Sequence, residues 1–157
     1  SSKEKIKEYI SNLSSLYRYL ITSKDQDVST VEAELALAKN YFYLIETRFE
    51  NDYQLIIKNN ELNKNKYLPN GALLTALENV VKHNEPINGK TVIMTILIKE
   101  DQIKVTNTIS KSSSKESLGT GLINLEQRYQ FLSDKVIEIK HTEQEFVITL
   151  PLLTITD

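Results

Sequence analysis

Leu77-Glu78-Asn79-Val80-Val81-Lys82-His83-Asn84 is the stretch that decides the fold. An α-helix turns by roughly 100° per residue, so residues three and four apart share a face. The apolar residues of this region then form one stripe: Leu73, Leu74, Leu77, Val80 and Val81. The opposite face carries a carboxylate, an amide, an ammonium and an imidazole, from Glu78, Asn79, Lys82 and His83.

This polar face has an ordinary interpretation as well as a functional one. Surface helices usually carry polar residues opposite their buried stripe, and Glu78 and Lys82 have the spacing of a simple ion pair. Gly119-Thr120-Gly121 is a weak motif by itself. The order of the elements favours function: a polar-faced helix, two strands, and then these glycines at the start of another amphipathic helix. Together the two motifs predict a magnesium-nucleotide pocket.

A serine- and lysine-rich stretch, residues 110–118, leads directly into Gly119. Its side chains cannot bury apolar surface, so we expect a mobile surface loop. The loop is either a plain linker or a lid over the pocket. The lid is the functional alternative because the glycines that follow permit close approach of backbone amides to phosphate.

Composition excludes several classes of protein. The chain has 157 residues, a net charge of −2 and no cysteine. The charge gives no reason to expect nucleic-acid binding, and the lack of cysteine excludes disulfides and cysteine metal sites. The two histidines, His83 and His141, are too few for a zinc site. No apolar run is long enough for a membrane span, and Ser1 to Lys5 does not resemble a signal peptide.

Two helices of heptad character are expected in the first part of the chain. Apolar residues recur at three- and four-residue spacing from Ile6 to Leu20 and again from Val31 to Phe49. Ser29 to Glu32 predicts a capping box for the second helix. The two helices could form an antiparallel pair within the domain or a stalk that dimerises with a second copy, and the spacing leaves both open.

From Tyr53 the apolar residues alternate with a period of two, which is typical of strands. Two hairpins are predicted, one from residues 92–98 and 103–105 and one from residues 136–139 and 146–150, with a helix over residues 121–132 between them. The predicted fold is a two-layer α/β sandwich with a mixed, mostly antiparallel sheet and helices on one face. We predict helical segments over residues 1–50 and the sandwich over residues 51–157.

Residues 77–84 resemble the N-box of GHKL ATPases, in the form found in LytS/YehU-type sensor histidine kinases. Residues 119–129, Gly-Thr-Gly-Leu-Ile-Asn-Leu-Glu-Gln-Arg-Tyr, are similar to the G-box of the same family. Upstream, residues 16–19 and 34–49 resemble the segment that joins the dimerisation helices of these kinases to their ATP-binding domain. The resemblance covers nearly the whole chain and implies a Bergerat-type sandwich behind dimerisation and linker helices.

The resemblance also implies roles for individual residues. Asn79 would ligate the Mg²⁺ that bridges the phosphates of ATP, and Glu78 would be the catalytic residue beside the γ-phosphate. Asn107 stands where the wider family has an adenine-binding aspartate, and an amide oxygen is a weaker acceptor than a carboxylate. The remaining predicted nucleotide-binding residues surround the phosphates: Lys82, His83, Gly119, Thr120, Gly121 and Leu122.

Kinases of this type phosphorylate a histidine in a Pro-His-Phe-type motif, which this sequence lacks. The resemblance therefore implies the soluble, cytoplasmic catalytic part of a longer membrane sensor, a protein-histidine kinase that begins after its phosphoacceptor and cannot phosphorylate itself. It further implies homodimerisation through the N-terminal helices and a response regulator, of LytTR type, as partner. Two alternatives stay open: a GHKL nucleotide-binding regulator or pseudokinase, and an interaction module with an empty pocket.

Overall fold

The computed structural model describes residues 2–22, 26–59, 65–83, 89–109 and 119–155, with side chains 19–22 excepted. The predicted lid at residues 110–118 and Asn84 lie outside these ranges. The helices are α1 (Ser2–Thr22), α2 (Val31–Phe49), α3 (Ala72–His83) and α4 (Thr120–Leu132), with a short 3-10 turn at Glu50–Asp52. The strands are β1 (Val28–Thr30), β2 (Tyr53–Asn59), β3 (Tyr67–Pro69), β4 (Val92–Ile98), β5 (Gln102–Thr108), β6 (Glu138–His141) and β7 (Glu145–Pro151).

Five strands form one mixed sheet in the order β2-β4-β5-β7-β6. The pair β2 and β4 is parallel, whereas the other neighbours in this sheet are antiparallel. The predicted α/β fold with a mixed, mostly antiparallel sheet is therefore confirmed. The short strands β1 and β3, which were not predicted, form a separate antiparallel pair.

The two predicted hairpins are present, with different bounds. Strand β5 extends beyond residues 103–105 at both ends, and β6 begins at Glu138 rather than at Val136. In the register of β6 with β7, Val136 would lie opposite Pro151. Proline has no backbone N–H, and the carbonyl of Pro151 already accepts a hydrogen bond from the Tyr129 hydroxyl at 2.8 Å. The prediction of a strand at Val136 was wrong, and that side chain is 64% exposed.

Helix α3 buries the apolar stripe that its sequence predicts. Leu73, Leu77 and Val80 are inaccessible to solvent, and Val81 at the edge is half-buried. Burial of one such side chain stabilises the fold by about 1.5–3 kcal/mol, so this helix is firmly packed. The same core contains residues from β4, β5, β7, α4 and also α2, whose contributions are Val31, Ala38 and Ile45.

The first two helices pack on each other within the chain. The Tyr43 hydroxyl donates a hydrogen bond of 2.7 Å to the Glu8 carboxylate, which joins the late part of α2 to the early part of α1, as in an antiparallel pair. Thr30 is the N-cap of α2, and its hydroxyl accepts a hydrogen bond of 3.1 Å from the Ala33 amide. The predicted capping box placed the cap at Ser29, so the helix begins one residue later than predicted. Dimerisation and the boundary near residue 50 stay predictions.

Within the described ranges, no helix combines the length and apolar character needed to cross a membrane.

Candidate functional site

A cavity of about 300 Å³ lies where α3 meets the beginning of α4 and the middle of α2. It brings the polar face of α3 together with the glycine motif. The residues that line it are Tyr41, Thr75, Glu78, Asn79, Val81, Lys82, His83, Gly119, Gly121 and Leu122. Of the predicted site residues, Thr120 and Asn107 do not line this cavity.

The two glycines let α4 begin directly against α3. A Cβ on Gly119 would lie 3.3 Å from His83 Nε2 and 3.8 Å from Asn79 Oδ1. A Cβ on Gly121 would lie 3.3 Å from the Thr75 methyl carbon. Distances of 3.3 Å are tighter than ordinary side-chain packing, so larger residues here would separate the two helices or displace the polar side chains.

The beginning of α4 presents backbone donors that have no partner within the helix next to this contact. The amides of Leu122 and Ile123 both donate to the Gly119 carbonyl, at 3.1 and 3.3 Å. No side chain caps the helix at Gly119, and Thr120 and Gly121 occupy its first two positions. Amides at these positions have no partner within a helix, and the helix dipole makes them suited to an anion. Thr120 therefore belongs to the site through its backbone.

His83 has a buried ring nitrogen without a hydrogen-bond partner. Its Nε2 atom is shielded from solvent and faces Gly119. Buried polar atoms are nearly always paired in folded proteins, so this nitrogen, beside a cavity, is available for a hydrogen bond to a ligand.

Glu78 carries its charge in a partly desolvated position. Although the residue as a whole is exposed, burial of the carboxyl raises its pKa, and the charge of Lys82 lowers it. Across the cavity, the pKa of the Tyr41 hydroxyl is raised first by burial and then by the charge of Glu78. Tyr41 thus stays a hydroxyl donor, and the positive charge of Lys82 offsets part of the effect that burial has on the pKa of Glu78.

Asn107 is an orphaned acceptor within the sheet. It lies on β5 between Met94 of β4 and Phe146 of β7 and has no exposed surface. Its Nδ2 donates to the Thr108 carbonyl at 3.1 Å, whereas its buried Oδ1 has no partner. An unpaired acceptor fits a residue that receives a hydrogen bond from a base, but that role stays a prediction.

Three lining residues escaped the sequence analysis: Tyr41, Thr75 and Val81. Thr75 lies one turn before Glu78 and Asn79, so helical spacing could have identified it. Val81 was assigned to the buried stripe and lies at its edge. No local pattern identifies Tyr41, because its place in the wall depends on how α2 packs against α3.

The donor set fits Mg²⁺ with phosphates better than a metal held by protein alone. Among the described residues, no group of three or more His, Asp or Glu side chains could hold an ion. Magnesium keeps several waters and needs only one or two protein oxygens when phosphates supply others. Asn79 Oδ1, with Glu78 on the same face, provides oxygens of this kind beside the donors of Gly119 to Gly121.

Comparisons with known proteins show that the chain is similar to histidine kinases. A family model described as Histidine kinase matches residues 1–53. The solved cytoplasmic segment of histidine kinase QseC is 15% identical, with a TM-score of 0.53, over 87% of this chain and 89% of that one. The Acinetobacter baumannii histidine kinase AdeS is 9% identical, with a TM-score of 0.57, over 92% of this chain and 76% of that one.

A third solved structure, the catalytic domain of histidine kinase ThkA, is 10% identical, with a TM-score of 0.51, over 79% of this chain and 95% of that one. No curated protein matches this chain in sequence. At such identities the structural likeness establishes the fold, which is that of histidine kinase catalytic domains.

Replacing Glu78 by glutamine is expected to raise stability at neutral pH. Folding raises the pKa of Glu78 above its ordinary value of 4.5, so the folded state favours the protonated carboxyl. The stability that Glu78 contributes is therefore complete below pH 4.5 and is lost as the pH rises through the pKa of the folded state. The gain of Glu78→Gln over the parent should therefore appear near pH 7 and vanish at acid pH.

The measurement is urea unfolding of parent and variant across pH, with Glu46→Gln on the exposed surface of α2 as control. A variant that is less stable than the parent at pH 7 would contradict the prediction, because it would mean that Lys82 compensates fully for the burial.

Proposed function

We propose that this chain is the ATP-binding catalytic part of a sensor histidine kinase of the LytS/YehU type. It binds Mg-ATP in the cavity between α3 and α4 and transfers the γ-phosphate to a histidine on a helix outside residues 1–157, for relay to a response regulator. In the longer protein this part lies on the cytoplasmic side of the membrane and dimerises through its N-terminal helices.

The observation that carries the proposal is the convergence of two separate motifs on one cavity. Asn79 and His83 point their polar atoms at Gly119, at 3.8 and 3.3 Å from the position of a Cβ there. The same contact leaves His83 Nε2 without a partner. A phosphate group with its Mg²⁺ satisfies both: it accepts from imidazole and backbone amides, and the metal takes the amide oxygen.

Each residue then has a chemical task. Asn79 holds the Mg²⁺, which supplies charge neutralisation on the phosphates. Lys82 and His83, with the amides of Thr120 and Gly121, bind the phosphate oxygens. Glu78 orients groups around the γ-phosphate. Phosphoryl transfer depends mainly on alignment and charge compensation, so this set is sufficient for the catalytic side of the reaction.

Removal of the Asn79 amide should weaken Mg-ATP binding selectively. We expect Asn79→Ala to lose about tenfold or more in affinity, since one good metal or hydrogen-bond contact corresponds to ~1.4 kcal/mol or more. Chelation of Mg²⁺ should weaken binding by the parent and leave the variant nearly unchanged.

Isothermal titration measures both effects, with Asn51→Ala, an exposed asparagine outside the cavity lining, as the control. Absence of binding heat in the parent would reject a nucleotide function and favour a pure interaction module.

Asn107 should determine recognition of the base. Asn107→Leu removes a buried unpaired acceptor but also the hydrogen bond from Nδ2 to the Thr108 carbonyl, so the two effects oppose each other and the free energy of unfolding should stay nearly level. If Oδ1 accepts from the adenine amino group, the parent should bind ATP about five- to tenfold more tightly than inosine triphosphate, which lacks that group.

In the variant this preference should disappear because ATP binds less tightly. Competition titrations with both nucleotides test this. Equal affinity of the parent for the two nucleotides would show that Asn107 does not contact the base.

The isolated chain should not acquire phosphohistidine. Its histidines are His83, in the cavity, and His141, on β6, and neither lies in a Pro-His-Phe-type motif. Incubation with Mg-ATP labelled at the γ-phosphate should leave the chain unlabelled, whereas adding an upstream helix with the acceptor histidine should yield acid-labile label.

Label on the isolated chain would contradict this assignment of the acceptor. Nucleotide binding without any label on the extended protein would favour the nucleotide-binding regulator.

A further inference from the structure

Helix α2 holds the beginning of α3 through a buried carboxylate. Glu34 has no exposed surface. One of its oxygens accepts from the Gly71 amide and the other from the Leu73 amide, each at 3.1 Å. These amides lie at the start of the helix that carries Glu78 to His83, so Glu34 supplies the N-terminal cap of α3 from another part of the chain.

The same carboxylate faces a cation on α4. Burial lowers the pKa of the Arg128 guanidinium, and the charge of Glu34 raises it. Arg128 also donates a hydrogen bond to the carbonyl of Asn70, two residues before α3. Glu34 and the half-buried Arg128 therefore bind adjacent residues at the start of α3, Gly71 and Asn70, and connect α2 and α3 to the helix whose first turn binds the nucleotide in the proposed function.

Further hydrogen bonds fix the position of Asn70, the residue to which Arg128 donates. The Asn70 amide donates to the Asp27 carbonyl at 3.0 Å, and its side chain donates to the Gln26 carbonyl at 3.2 Å. Strands β1 and β3 pair beside them. About two turns beyond Glu34 on α2, Tyr41 lines the cavity next to Glu78. Helix α2 thus contacts the site at two points, the start of α3 and the cavity wall.

We propose that Glu34 is a positioning residue that couples the placement of α2 to the nucleotide site. The inference rests on the proposed function, since it concerns the same cavity. A shift of α2 withdraws the carboxylate from α3 and Arg128 and moves Tyr41 in the wall. Coupling between sites is reciprocal, so bound nucleotide in turn favours α2 in its seated position.

The test compares Glu34→Gln with the matched control Glu32→Gln, an exposed residue on the same helix. Glutamine keeps the shape but replaces one acceptor by an amide that faces a backbone N–H, and it leaves Arg128 without its counter-charge. At a temperature far below the unfolding transition of both variants, we expect Glu34→Gln to weaken Mg-ATP binding by about fivefold or more. A fivefold change is the lower end of the range by which one site typically alters the affinity of another. The control should bind as the parent does.

Hydrogen exchange without nucleotide provides an independent measurement. In Glu34→Gln, the amides of residues 79–83, 122 and 123, which are bonded within α3 and α4, should exchange faster, while those of β4 and β5 keep their parental rates. A merely local cap would affect residues 71–73 alone, and a loss of global stability would affect the sheet as well. Either pattern, with unchanged nucleotide affinity, overturns the proposal.

If Glu34→Gln does not fold, Glu34→Asp takes its place, because it keeps the charge and shortens the reach. If the parent itself binds no Mg-ATP, the proposed function fails, and the coupling is decided by the exchange pattern alone.

Discussion

The arrangement of the three helices α2, α3 and α4 depends on a carboxylate that has no contact with water. A buried charge is tolerated only when hydrogen bonds and an opposite charge surround it. Glu34 meets this requirement with two amides at the start of α3 and with Arg128 on α4. Because its partners come from separate parts of the chain, this carboxylate brings the three helices together at one point.

A second constraint acts at the opposite end of α3. There the beginning of α4 approaches so closely that a side chain at Gly119 would press against His83. The glycine motif therefore has a packing role as well as the phosphate-binding role that the resemblance implies. Two polar groups beside this contact are in unfavourable surroundings: Glu78 is partly desolvated, and His83 Nε2 has no hydrogen-bond partner. Such groups cost stability, which is expected where a protein binds a ligand rather than where it only packs.

Much of this molecule could be predicted because its elements follow regular periods. The stripe of α3 and the alternation in β4 and β5 are visible in sequence and are buried as expected. The pair β1 and β3 could not be predicted, since three-residue strands have no measurable period. The start of β6 was misplaced because it depends on Pro151, a residue on the partner strand that cannot donate a hydrogen bond.

The sequence by itself determined which side chains share the polar face of α3, since helical geometry alone puts Glu78, Asn79, Lys82 and His83 together. It also determined the mixed α/β class through the periods of its segments. Only the tertiary structure decided that this face and Gly119 enclose one cavity, that Tyr41 belongs to its wall, and that Glu34 caps α3. Those relations join residues far apart in the chain, and they arise from packing and the pairing of buried charge, which no local pattern encodes.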